Sequence, residues 1–486
     1  MKKLFNPACF LLLVITVLFS TTISAQKDQV TVYPAPQGEA LSQAYRISAA
    51  GKEVPVYLAR VAPADSERRW KAMDDKKNSA DYFDTGAFAY FDLQGTVTIT
   101  VTVPEKINTA KILPSSAGIT PVIHGNAITF SLKSPANLTV EINGEWVRSL
   151  HLFVNPPEVE APRRDDPNVI YFGLGIHEIS HLVVGDNKTV YIAGGSIVRA
   201  VIDSTENFGI SSYSGLRTYA PTIELRGKNI TVRGRGILDA SRCTTHSRHM
   251  ISVRGSDITI EGIILLDSPT WTIPIRESDN VRISNVKLIG YRANSDGIDI
   301  CNSRNVTVWN CFIRTLDDLI VVKTPRGGKG EVNHIVAKGC VLWNQVAHAL
   351  SIGAEITSNI DDVLFTDCDV IHDQGREWSL RIYHTDAARV SNVRFENIRI
   401  EESLKCISLW IDKAVWSSDK EQGHIEGVTF KNIRASGAPL TVELKGFDEG
   451  HSIRNVFFRD IVLNGKALTR DMIQMNGFVK DVDIQP

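Results

Sequence analysis

Val281-Arg282-Ile283-Ser284-Asn285-Val286 is the stretch that decides the fold, because the chain repeats its pattern many times. Similar phrases start, at intervals of 23 to 35 residues, at Ile258, Val281, Val306, Ile335, Val363, Val393, Val428 and Val456. An apolar residue follows each start after two places, and Gly, Asn or Asp follows after four. The alternation is typical of a strand, and the fourth place favours a tight turn in left-handed backbone. Short β runs and turns at this period predict a parallel β-helix.

The fifth place of each phrase holds Ile, Val or Cys, but an earlier phrase starting at Ile230 has Arg235 there. Cys311, Cys340 and Cys368 occupy this place in three consecutive phrases. Cysteine at a position otherwise held by Ile or Val behaves as a small hydrophobe, which favours a ladder of buried, unpaired thiols. An even number of cysteines in an exported chain would also permit disulfides. Because no CxxC pair occurs, a zinc site or a redox motif is not indicated.

Ahead of the repeats, residues 26–155 carry short strand-like runs separated by turn signals. The run from Thr96 to Val103 alternates with period two, as a half-buried strand does. This pattern predicts a β-sandwich domain. A connector rich in proline and charge follows, and residues 168–486 are the predicted right-handed parallel β-helix. The chain is therefore predicted to be all-β, with a β-sandwich in front of a β-helix.

The first 25 residues have the pattern of a secretory signal peptide. Lys2 and Lys3 precede an apolar run from Cys9 to Phe19, and Ile23-Ser24-Ala25 is a small-residue cleavage site. The run is shorter than the roughly 20 residues that a transmembrane helix needs. We therefore expect a secreted or periplasmic protein without membrane insertion. A formal net charge of −2 gives no support for nucleic-acid binding, and a monomer is expected.

Two acidic strings fall one repeat apart: Asn294-Ser295-Asp296-Gly297-Ile298-Asp299 and Leu316-Asp317-Asp318-Leu319. Adjacent coils of a β-helix stack at about 4.8 Å, so the carboxylates of Asp296, Asp317 and Asp318 should lie together. Like charges then raise at least one pKa, which provides a proton donor and a base at the same pH. Hydrolysis of a glycosidic bond needs such a pair. Either string alone would more often be a turn that faces solvent.

These strings, with Lys323, resemble glycoside hydrolase family 28, the polygalacturonase-like enzymes, and the related family 49. Further motifs that resemble this group are Ser268-Pro269-Thr270-Trp271, Ala347-His348-Ala349 in the place of a Gly-His-Gly motif, and Arg381-Ile382-Tyr383 in the place of Arg-Ile-Lys. A β-sandwich ahead of a β-helix is similar to the architecture of family 49. The resemblance implies an enzyme that acts on a polysaccharide or oligosaccharide, and we expect no metal or cofactor.

The resemblance also assigns roles by position. Asp317 would be the general acid that protonates the glycosidic oxygen. Asp296 and Asp318 would hold and deprotonate the attacking water, which gives inversion at the anomeric carbon. His348 would tune the acid, and Arg381 would bind the substrate beside the scissile bond.

One departure from the family pattern bears on the substrate. Tyr383 stands where the polygalacturonases have a lysine that helps to hold a uronate carboxylate. A phenol carries no positive charge at neutral pH, so a neutral or differently charged glycan becomes an alternative to galacturonan. Asn294 and Trp271 complete the expected substrate-binding residues. Three roles stay open for Lys323: it could contact a sugar, balance the charge of the carboxylates, or be an ordinary solvated residue.

The remaining tryptophans divide into two groups. Trp378, Trp410 and Trp416 could stack on sugar rings near the expected cleft, whereas Trp309 and Trp343 lie in or near repeat strands and are expected to pack.

Two other functions fit a β-helix. A polysaccharide lyase would use Lys or Arg as a base next to a uronate carboxylate. A non-catalytic β-helix would bind glycans without releasing product. We expect hydrolysis, because three carboxylates in neighbouring coils suit it.

Overall fold

The computed structural model describes residues 29–72, 80–211 and 214–486, and most regular structure in these ranges is β. The predicted signal peptide at residues 1–25 lies outside the described residues. Helical segments are short: Ser66–Ala72, Ala80–Tyr82, Ser115–Ala117 and Arg470–Met472. Within the described ranges, no helix combines the length and the hydrophobicity needed to cross a membrane.

Two mainly antiparallel sheets form the N-terminal β-sandwich. One sheet contains Gln29–Val32, Tyr57–Val61, Asp84–Gln94, Ala110–Leu113, Ala136–Ile142 and Glu145–Asn155. The other contains Arg46–Ala49, Lys52–Val54, Val97–Thr102, Val122–His124 and Ala127–Leu132. Inward-facing apolar side chains of both sheets, such as Phe91 and Ile99, share one core. The strand predicted from Thr96 to Val103 is part of it.

The rest of the described chain winds into a β-helix, whose strands pair from coil to coil and are mostly short. The strands are Val169–Phe172, Gly175–Ile179, Leu182–Val184, Thr189–Ile192, Ser196–Ala200, Ile223–Gly234, Ile237–Asp239, Ile251–Glu261, Ile264–Leu266, Ile273–Arg276, Asp279–Ser284, Lys287–Ile289, Ile298–Cys301, Arg304–Trp309, Phe312–Arg314, Ile320–Thr324, Val332–Lys338, Val341–Asn344, Leu350–Ile356, Ile360–Thr366, Asp369–Asp373, Leu380–His384, Arg389–Ile411, His424–Lys445, Ile453–Leu463, Lys466–Ala467, Ile473–Met475 and Val479–Gln485. A small hairpin, Phe208–Ile210 with Arg217–Tyr219, lies outside this sheet.

The repeat register predicted from the sequence is confirmed. The first residues of the eight phrases are direct partners in neighbouring parallel strands. Every fourth-place residue has a positive φ, between 52° and 78°. At these turns Gly avoids the strain of a side chain, and Asn and Asp tolerate the left-handed conformation. The repeating Gly, Asn and Asp residues therefore fix where each coil bends.

The interior of the β-helix is a continuous apolar stack. Phe365, Phe395, Phe430 and Phe458 lie on successive coils with ring centroids 5.0 to 5.2 Å apart. The fifth-place residues are also buried, and the cysteines among them are unpaired, as predicted. This regular core holds the outer surface of each coil in register with the next.

The sandwich packs against one side of the β-helix. Its side chains Phe88 and Phe153 share a buried cluster with Phe312 and Trp343 of the coils. Arg235, which broke the fifth-place pattern, points toward the sandwich and pairs with Asp92 at 2.9 Å. We keep 26–155 and 168–486 as the proposed limits of the two domains.

Candidate active site

Strand register brings a row of residues together along one edge of the coils; all of them except Lys405, which is part of Arg389–Ile411, lie in the connection just before a strand. Each lies two places before a strand residue, and those strand residues pair coil by coil. We call this set the turn row: Trp271, Asp296, Asp318, His348, Trp378 and Lys405. Residues up to 134 positions apart in the chain are thereby stacked at about 4.8 Å per coil.

Three carboxylates meet at the centre of the turn row. Each of Asp296, Asp317 and Asp318 has an oxygen within 4.8 Å of an oxygen of the others. Asp296 and Asp318 are buried, with 2% and 8% exposed, whereas Asp317 is half-buried and reaches the surface. The cluster expected from the two acidic strings therefore exists, and Asp317 is its most accessible member.

Lys323 lies beneath these carboxylates and neutralises part of their charge. Its Nζ is 3.0 Å from Asp296, 3.1 Å from Asp299 and 3.5 Å from Asp318. Burial acts to lower the pKa of Lys323, but the surrounding carboxylates outweigh it and raise that pKa well above its ordinary value. The Trp271 ring closes over the ammonium at 4.3 Å. Of the roles left open for Lys323, the structure supports charge balance.

Neighbouring Asp317 and Asp318 have opposite protonation properties. Burial and the adjacent Asp318 charge raise the pKa of Asp317 to about 6. Burial alone would also raise the pKa of Asp318, but His348 and the Lys323 ammonium outweigh it and lower the value to about 2. Between these values Asp317 is protonated and Asp318 is ionised. One pair of adjacent residues thus offers a proton donor and a base.

Burial raises the pKa of Asp296 well above its ordinary value, although Lys323 opposes the shift. One oxygen of Asp296 pairs with Lys323, and Oδ1 has no hydrogen-bond partner within the described part of the chain. A buried polar atom without a partner is costly. In this structure Oδ1 is also closed to solvent.

His348 connects the carboxylate cluster to the next coils. Its Nδ1 lies 2.5 Å from Asp318, and its Nε2 lies 3.1 Å from Nη1 of Arg381. Since a guanidinium can only donate, Nε2 accepts and Nδ1 carries the proton that bonds Asp318. The hydrogen bond of His348 is to Asp318, but His348 also acts to lower the pKa of Asp317, so its role in tuning the acid stays a prediction.

Arg381 is held inside the protein rather than presented to a ligand. It is 3% exposed and forms an ion pair with Glu377. Its guanidinium carbon lies 4.2 Å from the ring centroid of Tyr383 and 4.8 Å from that of Trp410. A direct substrate contact by Arg381 stays a prediction, and its buried position does not favour it.

The other expected binding residues lie near the cluster. Asn294 accepts a hydrogen bond from His246 at 3.0 Å and is half-buried, as is Tyr383. With Trp271 they stay predicted substrate-binding residues. The sequence interpretation did not assign roles to Asp299 or Glu377. Asp299 could have been recognised as the second aspartate of its string. Nothing in the sequence singles out Glu377 except its position directly before Trp378.

The tryptophans lie at different depths in the structure. Trp343 is fully buried between sandwich and β-helix, as expected of a packing residue. Trp309 is 54% exposed and packs on the surface, with Lys338 Nζ 5.5 Å from its ring centroid. The alternation that points Val306 and Val308 inward directs Trp309 outward. Trp416 is 49% exposed, and Trp378 is buried.

Comparison with known proteins identifies the class to which this fold and cluster belong. The family model described as "Glycosyl hydrolases family 28" matches residues 221–478. That segment contains the turn row, Asp317 and Lys323. The chain belongs to glycosyl hydrolases family 28.

Individual relatives support the same architecture. A segment of 110 residues is 30% identical to "Probable endopolygalacturonase D" of Neosartorya fischeri and covers 22% of this chain. The match spans 21% of that protein's length. Dex49A from Penicillium minioluteum has a TM-score of 0.62 and 14% identity, covering 93% of this chain and 96% of its own. The family 28 exopolygalacturonase of Yersinia enterocolitica has a TM-score of 0.54 and 15% identity, and the match covers 80% of this chain and 96% of that one. These solved structures share the right-handed β-helix fold.

Proposed function

We propose that the chain is an exported, inverting hydrolase of an α-linked polysaccharide or oligosaccharide, of pectic or related type. The observation that carries this proposal is the separation of pKa between Asp317 and Asp318, one near 6 and the other near 2. A hydrolase of this kind needs a protonated acid and an ionised base at the same pH. Membership of family 28 and the similarity to an endopolygalacturonase support a pectic substrate class.

In the proposed mechanism Asp317 protonates the glycosidic oxygen, because its carboxyl group is accessible and its raised pKa favours the protonated form. Asp318 takes a proton from the attacking water, and Asp296 helps to hold that water. Water arrives opposite the leaving group, so the released anomeric carbon has inverted configuration. The other proposed features are export by the N-terminal signal and action as a monomer without metal or cofactor.

The close spacing of the carboxylates makes the stereochemistry a sharp test. Inverting glycosidases commonly separate their two carboxyl groups by about 6.5–9.5 Å, and retaining enzymes by about 5–5.5 Å. The oxygens here approach within 4.8 Å. We propose inversion nevertheless, because Asp296 and Asp318 are both paired with the Lys323 ammonium. A carboxylate in such a pair is a weaker nucleophile and is better suited to hold a water than to attack the sugar.

Elimination by a lyase is less well supported. A lyase needs a deprotonated base, but Lys323 is bound by three carboxylates that raise its pKa well above its ordinary value. It therefore stays protonated. Buried Arg381 is also paired, with Glu377.

Asp317→Asn tests the proposal directly. The amide has nearly the same shape but cannot donate a proton as an acid, so kcat should fall by about 10²–10⁴-fold. Activity is measured as reducing ends released from a panel of pectic, α-glucan and α-galactan polysaccharides, with circular dichroism as the check on folding. Undiminished activity of a folded Asp317→Asn protein would contradict the proposal.

A further inference from the structure

The cation that would be expected beside the cleavage centre is already engaged within the protein. Arg381 donates to His348 and pairs with Glu377, and it is packed among Trp378, Tyr383 and Trp410. With 3% of its surface exposed, it has little left to offer an acidic sugar. A negative charge on the substrate therefore needs another partner.

The turn row continues beyond His348 to a second cation, Lys405. Pairing of Leu380 with Ile407 puts Lys405 directly after Trp378 in the row, and Ser379 N–H donates to the Lys405 carbonyl at 2.8 Å. The Nζ of Lys405 lies 4.4 Å from the ring centroid of Trp378. Three coils separate it from Asp318, a distance of about 14 Å at the strand spacing. Lys405 is thus in register with the carboxylate cluster along the same row.

The charge of Lys405 is not neutralised by the protein. Among the residues that the structure describes, no carboxylate lies within ion-pair distance of its Nζ, whereas Lys323 has three and Lys445 has Asp412 at 3.3 Å. Its side chain is half-buried, and the indole beneath it limits its motion. A partly desolvated ammonium without a counter-ion attracts an anionic group more strongly than a fully solvated one.

We propose that Lys405 binds the carboxylate of an acidic sugar, three coils from the cleavage centre. This inference rests on the proposed function and names its substrate class as an acidic polysaccharide. The polygalacturonases have, at the place of Tyr383, a lysine that helps to hold a substrate carboxylate next to the arginine. In this chain the substrate carboxylate is instead held further along the row, at Lys405. The sugar beside Tyr383 needs no carboxylate.

The test compares two probes that differ only in their carboxylates: an α-linked oligogalacturonide long enough to span four coils, and its carboxyl-reduced form. Affinity is measured by calorimetry in the Asp317→Asn background, where cleavage is blocked. We expect the acidic probe to bind at least about tenfold more tightly, because a hydrogen bond to a charged group is stronger than a neutral one. Adding Lys405→Gln should abolish that preference, and Lys405→Arg should keep it.

Lys338→Gln is the matched control, because Lys338 also lies over an indole, 5.5 Å from Trp309, but on a different row of strands. It should leave both affinities unchanged. Equal binding of the two probes, absence of binding, or an equal loss for both probes in Lys405→Gln would overturn the inference. Binding is measured without cleavage, and product release is assayed separately in the parent protein. Binding through Lys405 with no product released by the parent protein contradicts the proposed function alone. Cleavage with no effect of Lys405 contradicts this inference alone.

Discussion

At the scale of residues, the chemistry depends on two adjacent aspartates in different surroundings. Asp317 is half-buried beside a negative neighbour, which favours its protonated form. Asp318 receives a hydrogen bond from His348 and lies 3.5 Å from the Lys323 ammonium, which favours its ionised form. Their order in the sequence carries no information about this difference. It arises from residues that other coils supply.

His348→Ala should move the acidic limb of the pH–rate profile. Loss of the hydrogen bond removes a cause that lowers the pKa of Asp318, so this pKa rises from about 2. Since the base must be ionised, kcat/KM should begin to fall at a higher pH than in the parent enzyme. The alkaline limb reflects Asp317, whose pKa of about 6 comes mainly from burial and Asp318, and should move less.

His334→Ala serves as the control for that experiment. His334 also pairs with an aspartate, Asp362, but on the exposed surface of another row of strands. Its removal should leave both limbs in place. An acidic limb that does not move in His348→Ala would contradict the assignment of Asp318 as the base.

The sequence predicted which acidic residues meet but not how their charges are balanced. Coil spacing alone was enough to bring Asp296 and Asp318 together, because their register follows from the repeat. The burial of Lys323 among carboxylates and the pairing of Glu377 with Arg381 depend on side-chain directions in three-dimensional space. The repeat period does not determine side-chain directions, so the sequence did not predict these contacts.

At the scale of elements, the turns of the β-helix are held by a ladder of polar side chains. Asn397 has a φ of 54°, donates to Asp367 at 3.1 Å and accepts from Asn432 at 2.8 Å. These bonds link three consecutive coils at the same turn. The sequence predicted the turns, because Gly, Asn and Asp recur at one place in the repeat and tolerate left-handed backbone, but it did not predict the hydrogen bonds between coils.

Asn397→Ala and Asn397→Gly separate the backbone contribution from the side-chain contribution. Both variants lose the ladder hydrogen bonds, but only alanine is strained at a positive φ. We expect the alanine variant to be about 1 kcal/mol less stable than the glycine variant in urea denaturation. Equal stability of the two, or a more stable alanine variant, would show that the left-handed turn is not a constraint.

At the scale of the whole molecule, the sandwich and the β-helix share a buried interface. Phe153 and Phe312 are 5.1 Å apart across it, and the Arg235–Asp92 ion pair is almost fully buried. In the sequence, Arg235 broke the repeat pattern, and Trp343 was one apolar residue near a repeat strand. Neither feature pointed to the sandwich, because a repeat pattern describes contacts between coils only. Contacts with another domain add constraints that the repeat does not contain.

We therefore expect one calorimetric unfolding transition that includes both parts of the chain. Asp92→Ala leaves Arg235 buried without its carboxylate, which should cost about 3–5 kcal/mol and lower Tm while keeping one transition. Two separate transitions in the parent protein would contradict this coupling.

The most direct test of the account is the configuration of the first product. Proton NMR, recorded during cleavage of whichever polysaccharide of the panel is hydrolysed, distinguishes the newly released anomer before mutarotation. If Asp317 acts as acid while Asp296 and Asp318 direct a water from the opposite side, the first anomer has inverted configuration. Release of the retained anomer would mean that a carboxylate attacks the sugar itself, and it would contradict the mechanism.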